Sequence, residues 1–300
     1  MTETTSAEAD GGFRSAGVSR DGAVAQGADG PQYAFGARRF GAVNWLGVWT
    51  LYKKEVHRYL KVAFQTVFAP VISTILFLVV FMVALGQDRP DVNGAPFVAF
   101  LAPGLVMMAI LNNAFSNSSS SLIIAKVQGN VVDLLMPPLS AAELTAAFVL
   151  GAATRGLMVG AVAAAASAGV MAYAGTPMSV AHLGAIVYFA LGASLLFGML
   201  GAIAGVWADK FDQLALVTNF IITPMAFLSG TFYSIERLPG AFQTFSHWNP
   251  VFYMIDGFRY GFIGASDADV VLGGSVVLVL NIVFLYVSYR LFKSGYRLKS

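Results

Sequence analysis

The chain has 300 residues, of which 57% are hydrophobic and only 11% charged, whereas soluble domains carry roughly 25% charged residues. That much apolar surface suits lipid, where each crossing takes ~20 consecutive apolar residues, and it excludes an ordinary soluble globular fold. A net charge of +2 is too small to mark a nucleic-acid partner. The absence of cysteine excludes disulfides, thiol catalysis and thiolate metal sites. His57, His182 and His247 lie too far apart in sequence to pair at helical ligand spacing, which argues against a metal centre.

Residues 1–41 read as a disordered cytoplasmic tail, because their first 36 are rich in Gly, Ala, Ser and Asp without an apolar period. They contain no apolar run of signal-peptide type. Residues 42–299 form the membrane domain. Within 42–61, Trp45, Trp49, Tyr52, Val56 and Tyr59 recur at steps of four and three on one helical face, flanked by Lys53, Lys54, His57, Arg58 and Lys61. This pattern fits an interfacial helix in the headgroup layer; the plainer reading is a basic lead-in to the first span.

Six apolar stretches follow, at about 62–86, 97–121, 144–173, 182–208, 213–231 and 270–292. The first has no charge, and its Pro70 is tolerable where neighbouring helices satisfy the freed carbonyl. The second turns polar at Asn112, Asn113, Ser116, Asn117 and Ser118 to Ser121, groups that must face protein or a water-filled path. The third carries Arg155. At ~1.5 Å per residue a helix over 144–173 is about 45 Å long, well beyond a ~30 Å hydrocarbon core. Arg155 is therefore expected near the inner edge with its guanidinium in the headgroups, the other reading being a buried functional charge. Ala152, Gly156, Gly160, Ala164 and Ala168 in this stretch, and Gly201 and Gly205 in the fourth, are spaced for close helix packing.

Two segments outside the spans carry functional information. In 122–143, Val131, Val132, Asp133, Leu134, Leu135 and Met136 form a short apolar turn closed by Pro137 and Pro138. It either packs under its own bundle or docks into a partner. Residues 232–269 are crowded with aromatics and broken by Pro239, Gly240, Pro250, Gly257 and Gly261, which fits short helices that dip into the outer leaflet and return. Asp256 and Arg259, three apart, are placed to pair on one face.

The order Leu228-Ser229-Gly230, Phe232-Tyr233, Leu238-Pro239, Asn249-Pro250, Tyr253 and Asp256-Gly257-Phe258-Arg259 resembles the signature of type-2 ABC exporter permeases of the bacterial drug and general efflux type. Asp133 to Pro138 is similar to that family's coupling segment. The likeness runs from about Trp45 to Arg297; Ser234 stands where many members have proline, and Pro137 where a small hydroxyl residue is common. The resemblance implies an all-α integral membrane fold with six transmembrane helices, an N-terminal interfacial helix, a cytoplasmic coupling helix and a re-entrant helical pair before the last span. It also implies a second permease copy or paralogue, and an ABC ATPase subunit on which ATP and Mg act. The chain itself is expected to hold no cofactor and no catalytic site: it has no Gly-Lys dipeptide and hence no phosphate-binding G-x-x-x-x-G-K-[ST] loop. The contrasting reading, an ion-driven secondary transporter, normally requires acidic residues inside the spans, and none lies well inside these six stretches. The Ser, Asn and aromatic content of the pathway suits an amphipathic or lipid-like exported substrate, and equally a glycan.

Of the eighteen Lys and Arg residues, fourteen fall on the side of the termini in a six-span layout; Arg89, Arg237 and Arg259 fall opposite, and Arg155 lies in a span. By the positive-inside rule both termini are cytoplasmic in a multi-pass protein of the bacterial inner membrane. Reporter fusions at Ser300 and within 87–96 are expected to report opposite sides of the membrane; the same side for both would refute the six-span layout.

Overall fold

The computed structural model describes residues 43–85, 91–92, 94–235 and 238–297, so the tail expected over 1–41 lies outside the described residues. Among the described residues, eleven α-helices follow one another, with no strand beyond an isolated bridge between Val92 and Ala95. Helix α1 covers Trp45–Leu60, and a π-helical turn, Phe64–Phe68, leads into α2, Ala69–Leu85. Then come α3 (Phe97–Val127), α4 (Val131–Leu135), α5 (Ala141–Tyr173) and α6 (Leu183–Trp207). Helices α7 (Phe211–Val217) and α8 (Thr223–Phe227) are joined by a second π turn, Thr218–Ile222, and α9 (Gly240–Trp248), α10 (Pro250–Ile263) and α11 (Val270–Ser294) complete the chain.

Local chemistry sets the helix ends. Ser140 and Glu143 form a capping box at the start of α5, each side chain bonding the other residue's backbone N–H. The Asp269 carboxylate accepts from the N–H groups of Val271 and Leu272 to begin α11, and Gly295 closes that helix in the left-handed region at φ 65°. Gly129, at φ 72°, permits the sharp exit from α3 into α4.

Among the described residues, five helices are long and apolar enough to cross a bilayer: Phe64–Ala84, Phe97–Val127, Ala141–Tyr173, Leu183–Trp207 and Val270–Ser294. The stretch expected over 213–231 is instead the broken helix Phe211–Phe227, whose 17 residues fall short of the ~20 that a crossing takes. Pro224 contributes to the break, since it cannot donate a helical hydrogen bond.

Helix α3 is the axis of the bundle, buried along most of its length against α5, α6 and α10. The small residues read from the sequence create that approach. A Cβ on Gly201 would stand 2.2 Å from the carbonyl oxygen of Phe115, and one on Gly205 2.9 Å from the Leu122 side chain. On the other flank, a Cβ on Gly156 would meet Ala114 and the Ile110 carbonyl at 3.0 Å, and one on Gly160 the Ile110 side chain at 2.3 Å. Backbones at this separation gain dispersion contacts along the whole crossing, which in lipid replaces the hydrophobic drive.

Helix α1 packs along α5. Its expected aromatic face divides: Tyr59 is buried, together with Leu51 and Glu55, while Trp45 and Trp49 project outward. The division follows from a four-residue step, which aligns Leu51, Glu55 and Tyr59 on the face turned to the bundle.

Gly201→Ala is expected to destabilise the protein by about 1–3 kcal/mol, as overpacking does, and Gly160→Ala by less, because the Ile110 side chain can move whereas the Phe115 backbone cannot. Gly169→Ala, which meets nothing within 4 Å, is the neutral control. Thermal unfolding in detergent measures all three; equal behaviour would remove the packing role from the stripe.

Candidate functional site

The candidate residues gather in two regions: the junction of α8, α9 and α10 with α3, and the end of the bundle that carries α4. At the junction, Arg259 is only 1% exposed. Its Nε donates to the carbonyl of Phe100 at 3.1 Å and one terminal nitrogen to the carbonyl of Gly230 at 2.7 Å. The guanidinium lies 3.7 Å from the centroid of the Phe100 ring, and Asp256 stands 3.8 Å away as its counter-ion. A buried cation needs such a full set of partners, because water is not there to supply them.

Asp256 in turn accepts from the backbone N–H groups of Asp267 and Ala268, both at 3.0 Å. Asp267 accepts from the Ser234 hydroxyl and the Ile235 N–H, at 2.9 and 3.1 Å. Ser234 thus supplies a hydrogen bond that a proline at this position would lack. Asn249 caps α10 by accepting from the Val251 N–H, while its amide donates to the Met225 carbonyl and the Ser229 hydroxyl, each at 2.8 Å. Gly230 sits at φ 70°, a conformation open to glycine. Gly257 faces the ring of Phe189, where a Cβ would lie 2.2 Å from it.

The sequence-derived residues Gly230, Asn249, Asp256 and Arg259 therefore meet in one network, with Pro250 opening α10 and Gly257 seating it on α6. Tyr253 is half-buried and packs toward Gly273 of α11. Pro239 is apart from them, as the exposed N-cap of α9. Asp267 and Phe100 belong to the network and were not singled out from the sequence, whereas Ser229 entered only as part of the signature and Ser234 only as a departure from it. Asp267 lies in a short Ser-Asp-Ala-Asp link that looks like an ordinary turn.

At the other end, α4 is held by one side and open on the other. Val131 packs on a cluster formed by Leu51, Leu122, Leu144, Phe148, Val206 and Phe292. Val132 is 62% exposed, and Asp133, Met136, Pro137 and Pro138 are exposed with it. Leu134 and Leu135 are helical in backbone, and their side chains lie outside the described residues.

Between these regions runs a buried polar cluster. Glu55 is 1% exposed; it pairs with Arg58 at 3.1 Å and accepts from the Ser121 hydroxyl at 2.7 Å. Arg58 also donates to the side chain and carbonyl of Asn117. The polar run of α3 thus faces protein, as expected, and its Asn112, Asn113 and Ser116 line a cavity of about 330 Å³ against α2. Arg155 is half-buried and donates to the Asn113 side chain at 3.2 Å. Among the described residues, no three His or carboxylate side chains gather as a metal site would require.

The profile of the ABC-2 type transporter family matches residues 47–263. This chain belongs to the ABC-2 type transporter family. It is 35% identical over 256 residues to the inner membrane transport permease YadH of Escherichia coli (strain K12), covering 85% of this chain and 98% of that protein. It is 26% identical over 255 residues to nodulation protein J of Rhizobium leguminosarum bv. viciae, covering 84% and 95%, and 24% identical over 251 residues to nodulation protein J of Rhizobium meliloti (strain 1021), covering 83% and 93%. The α8–α10 junction lies almost wholly within the matched region of this ABC-2 chain, and Asp267 just beyond it.

Arg259→Ala is expected to cost about 3–5 kcal/mol, since it leaves Asp256 buried without its counter-ion. Arg259→Lys restores the charge but not the planar fork that reaches two carbonyls, and is expected to recover only part of the loss. Thermal unfolding in detergent tests both; a wild-type transition for Arg259→Ala would show that the junction does not depend on this cation.

Proposed function

We propose that this chain is the permease subunit of an ATP-driven exporter in the bacterial inner membrane. Two permeases, either two copies or one copy and a paralogue, form the pathway, and separate ABC ATPase subunits bind ATP and Mg. In this reading Phe211–Phe227 serves as the fifth of six spans, α1 lies at the membrane surface, α9 and α10 are the re-entrant pair, and both termini are cytoplasmic. Family membership and the name of the Escherichia coli relative support an inner-membrane permease. The ATP-driven arrangement rests on the segment 131–138.

The observation that carries the reading is the exposed side of α4. Val132 and Met136 are apolar and open at the end of the bundle where α3 and α5 meet, while Val131 ties the helix to the cluster beneath it. A helix held on one side and bare on the other can pass a push from a partner to the bundle. Energetically, ATP moves the permease only as far as the ATPase subunits bind its two conformations differently, and α4 is where that difference is felt. Glu143 and Asn44 stiffen the mount, the Asn44 N–H donating to the Glu143 carboxylate and the Asn44 amide to the Pro138 carbonyl at 3.3 Å.

Val132→Asp, Leu134→Asp and Leu135→Asp test this. Val132 is exposed in the isolated chain, so Val132→Asp is expected to leave folding and yield intact while abolishing co-purification of the ATPase subunit, substrate-stimulated ATP hydrolysis, or both. A few residues carry most of the energy of such contacts, with losses of about 2 kcal/mol or more each. If all three variants bind the ATPase as wild type does whenever they fold, α4 is a packing element and the coupling assignment fails.

A further inference from the structure

The broken helix α7–α8 stands away from α6 and leaves a cleft of about 500 Å³. Its walls come from Phe115 of α3, Leu200 and Ala204 of α6, Ile221 of the second π turn, Val251 of α10 and Leu280 of α11. Apart from traces of backbone, the lining is hydrocarbon and aromatic. The size lies within the ~300–1,000 Å³ range of ligand pockets, yet no polar side chain is present to orient a polar ligand. A watery occupant would forfeit its hydrogen bonds there.

The end of the cleft is different. Trp207 closes it, 43% exposed, and its carbonyl accepts from the Arg297 guanidinium at 2.5 Å. Arg297 and Lys126 both pair with Asp209, at 3.2 and 3.7 Å, and Lys210 follows in the chain. Lys126, Lys210 and Arg297 outnumber Asp209 and Asp212 at this end, which leaves the mouth positive. An indole at the rim with cations beside it is the pattern that holds lipid headgroups at a membrane surface.

We infer that this cleft is a binding site for one phospholipid: an acyl chain lies between α6, the second π turn and α11, and the headgroup phosphate rests on Arg297 and Lys210. The broken helix sets the site's shape. A regular helix with a continuous ridge would interdigitate with α6, whereas the π turn and Pro224 hold α7–α8 off it. The lipid completes the packing that protein side chains leave undone. The occupant is an integral lipid, distinct from the exported substrate, and the inference does not depend on the ATP-driven reading.

Purified protein in mild detergent is examined by native mass spectrometry and by extraction and quantification of phospholipid. Wild type is expected to retain about one phospholipid per chain, and Ala204→Trp, which fills the cleft, at least ~tenfold less, the equivalent of about 1.4 kcal/mol. Leu280→Trp fills the same space from α11 and serves if Ala204→Trp does not fold. Arg297→Gln with Lys210→Gln is expected to weaken retention of phosphate-bearing lipid while leaving the cleft open. Two results would overturn the inference. One is equal lipid retention in wild type and in a folded cleft-filling variant, which would assign the lipid to the general annulus. The other is efficient disulfide cross-linking between two chains carrying Ile203→Cys, without retained lipid, which would assign the cleft to a second copy; the natural chain has no cysteine to confuse that measurement.

Discussion

The guanidinium of Arg259 is the constraint around which one end of this bundle is organised. Lodged where water does not reach, it is satisfied only if the Phe100 carbonyl, the Gly230 carbonyl, the Phe100 ring and Asp256 all converge on it. Those groups come from three segments. The start of α3, the turn after α8 and the middle of α10 are therefore fixed relative to one another by one side chain. Asp256 extends the constraint into the link before α11 through two backbone N–H groups. A buried ion pair of this kind is weak evidence of net stability, because desolvation offsets much of the attraction. Its effect is on geometry: the two charges already share α10, and it is the bonds to the Phe100 and Gly230 carbonyls that require this placement of the other segments.

A second, purely steric condition governs the middle of the bundle. Helices α5 and α6 approach α3 closely because Gly156, Gly160, Gly201 and Gly205 present no side chain there. The polar cluster of Glu55, Arg58 and Asn117 then fits within the same packing, with α1 lying along α5. The two conditions differ in what they tolerate. The steric one yields to small shifts of a flexible neighbour such as Ile110, whereas the electrostatic one loses its partners together.

The sequence exposes these conditions unequally. Long apolar stretches locate five of the helices, because lipid demands continuous apolar length, though α3 runs past the expected end at 121 to Val127. The glycine and alanine spacing marks the packing face for the same reason: period four on a helix is geometry. Asp256 and Arg259 were readable as a pair because they share one helix face. Their other partners were not, since Phe100 lies 159 residues from Arg259 and contributes a backbone carbonyl that every residue possesses. The partner of Arg155 was hidden for a related cause: the Asn113 side chain that receives it belongs to another helix. Glu55 reads as one more charge on a basic surface helix until α3 is seen to cover it.

The two π turns, Phe64–Phe68 and Thr218–Ile222, act as phase adjusters. Each admits one residue more than a regular turn, and in an α-helix one residue corresponds to about 100° of rotation. Everything beyond the turn is therefore dialled around the axis relative to everything before it. In the helix that begins at Phe211, this lets Leu214 face inward on one side of the turn and Ala226 face inward on the other. A lineage that lost a single residue within either turn would keep its helix and its hydropathy, yet would present the far half of that helix to the wrong neighbours. Length polymorphism in these helices is thus constrained by angle as well as by bilayer thickness.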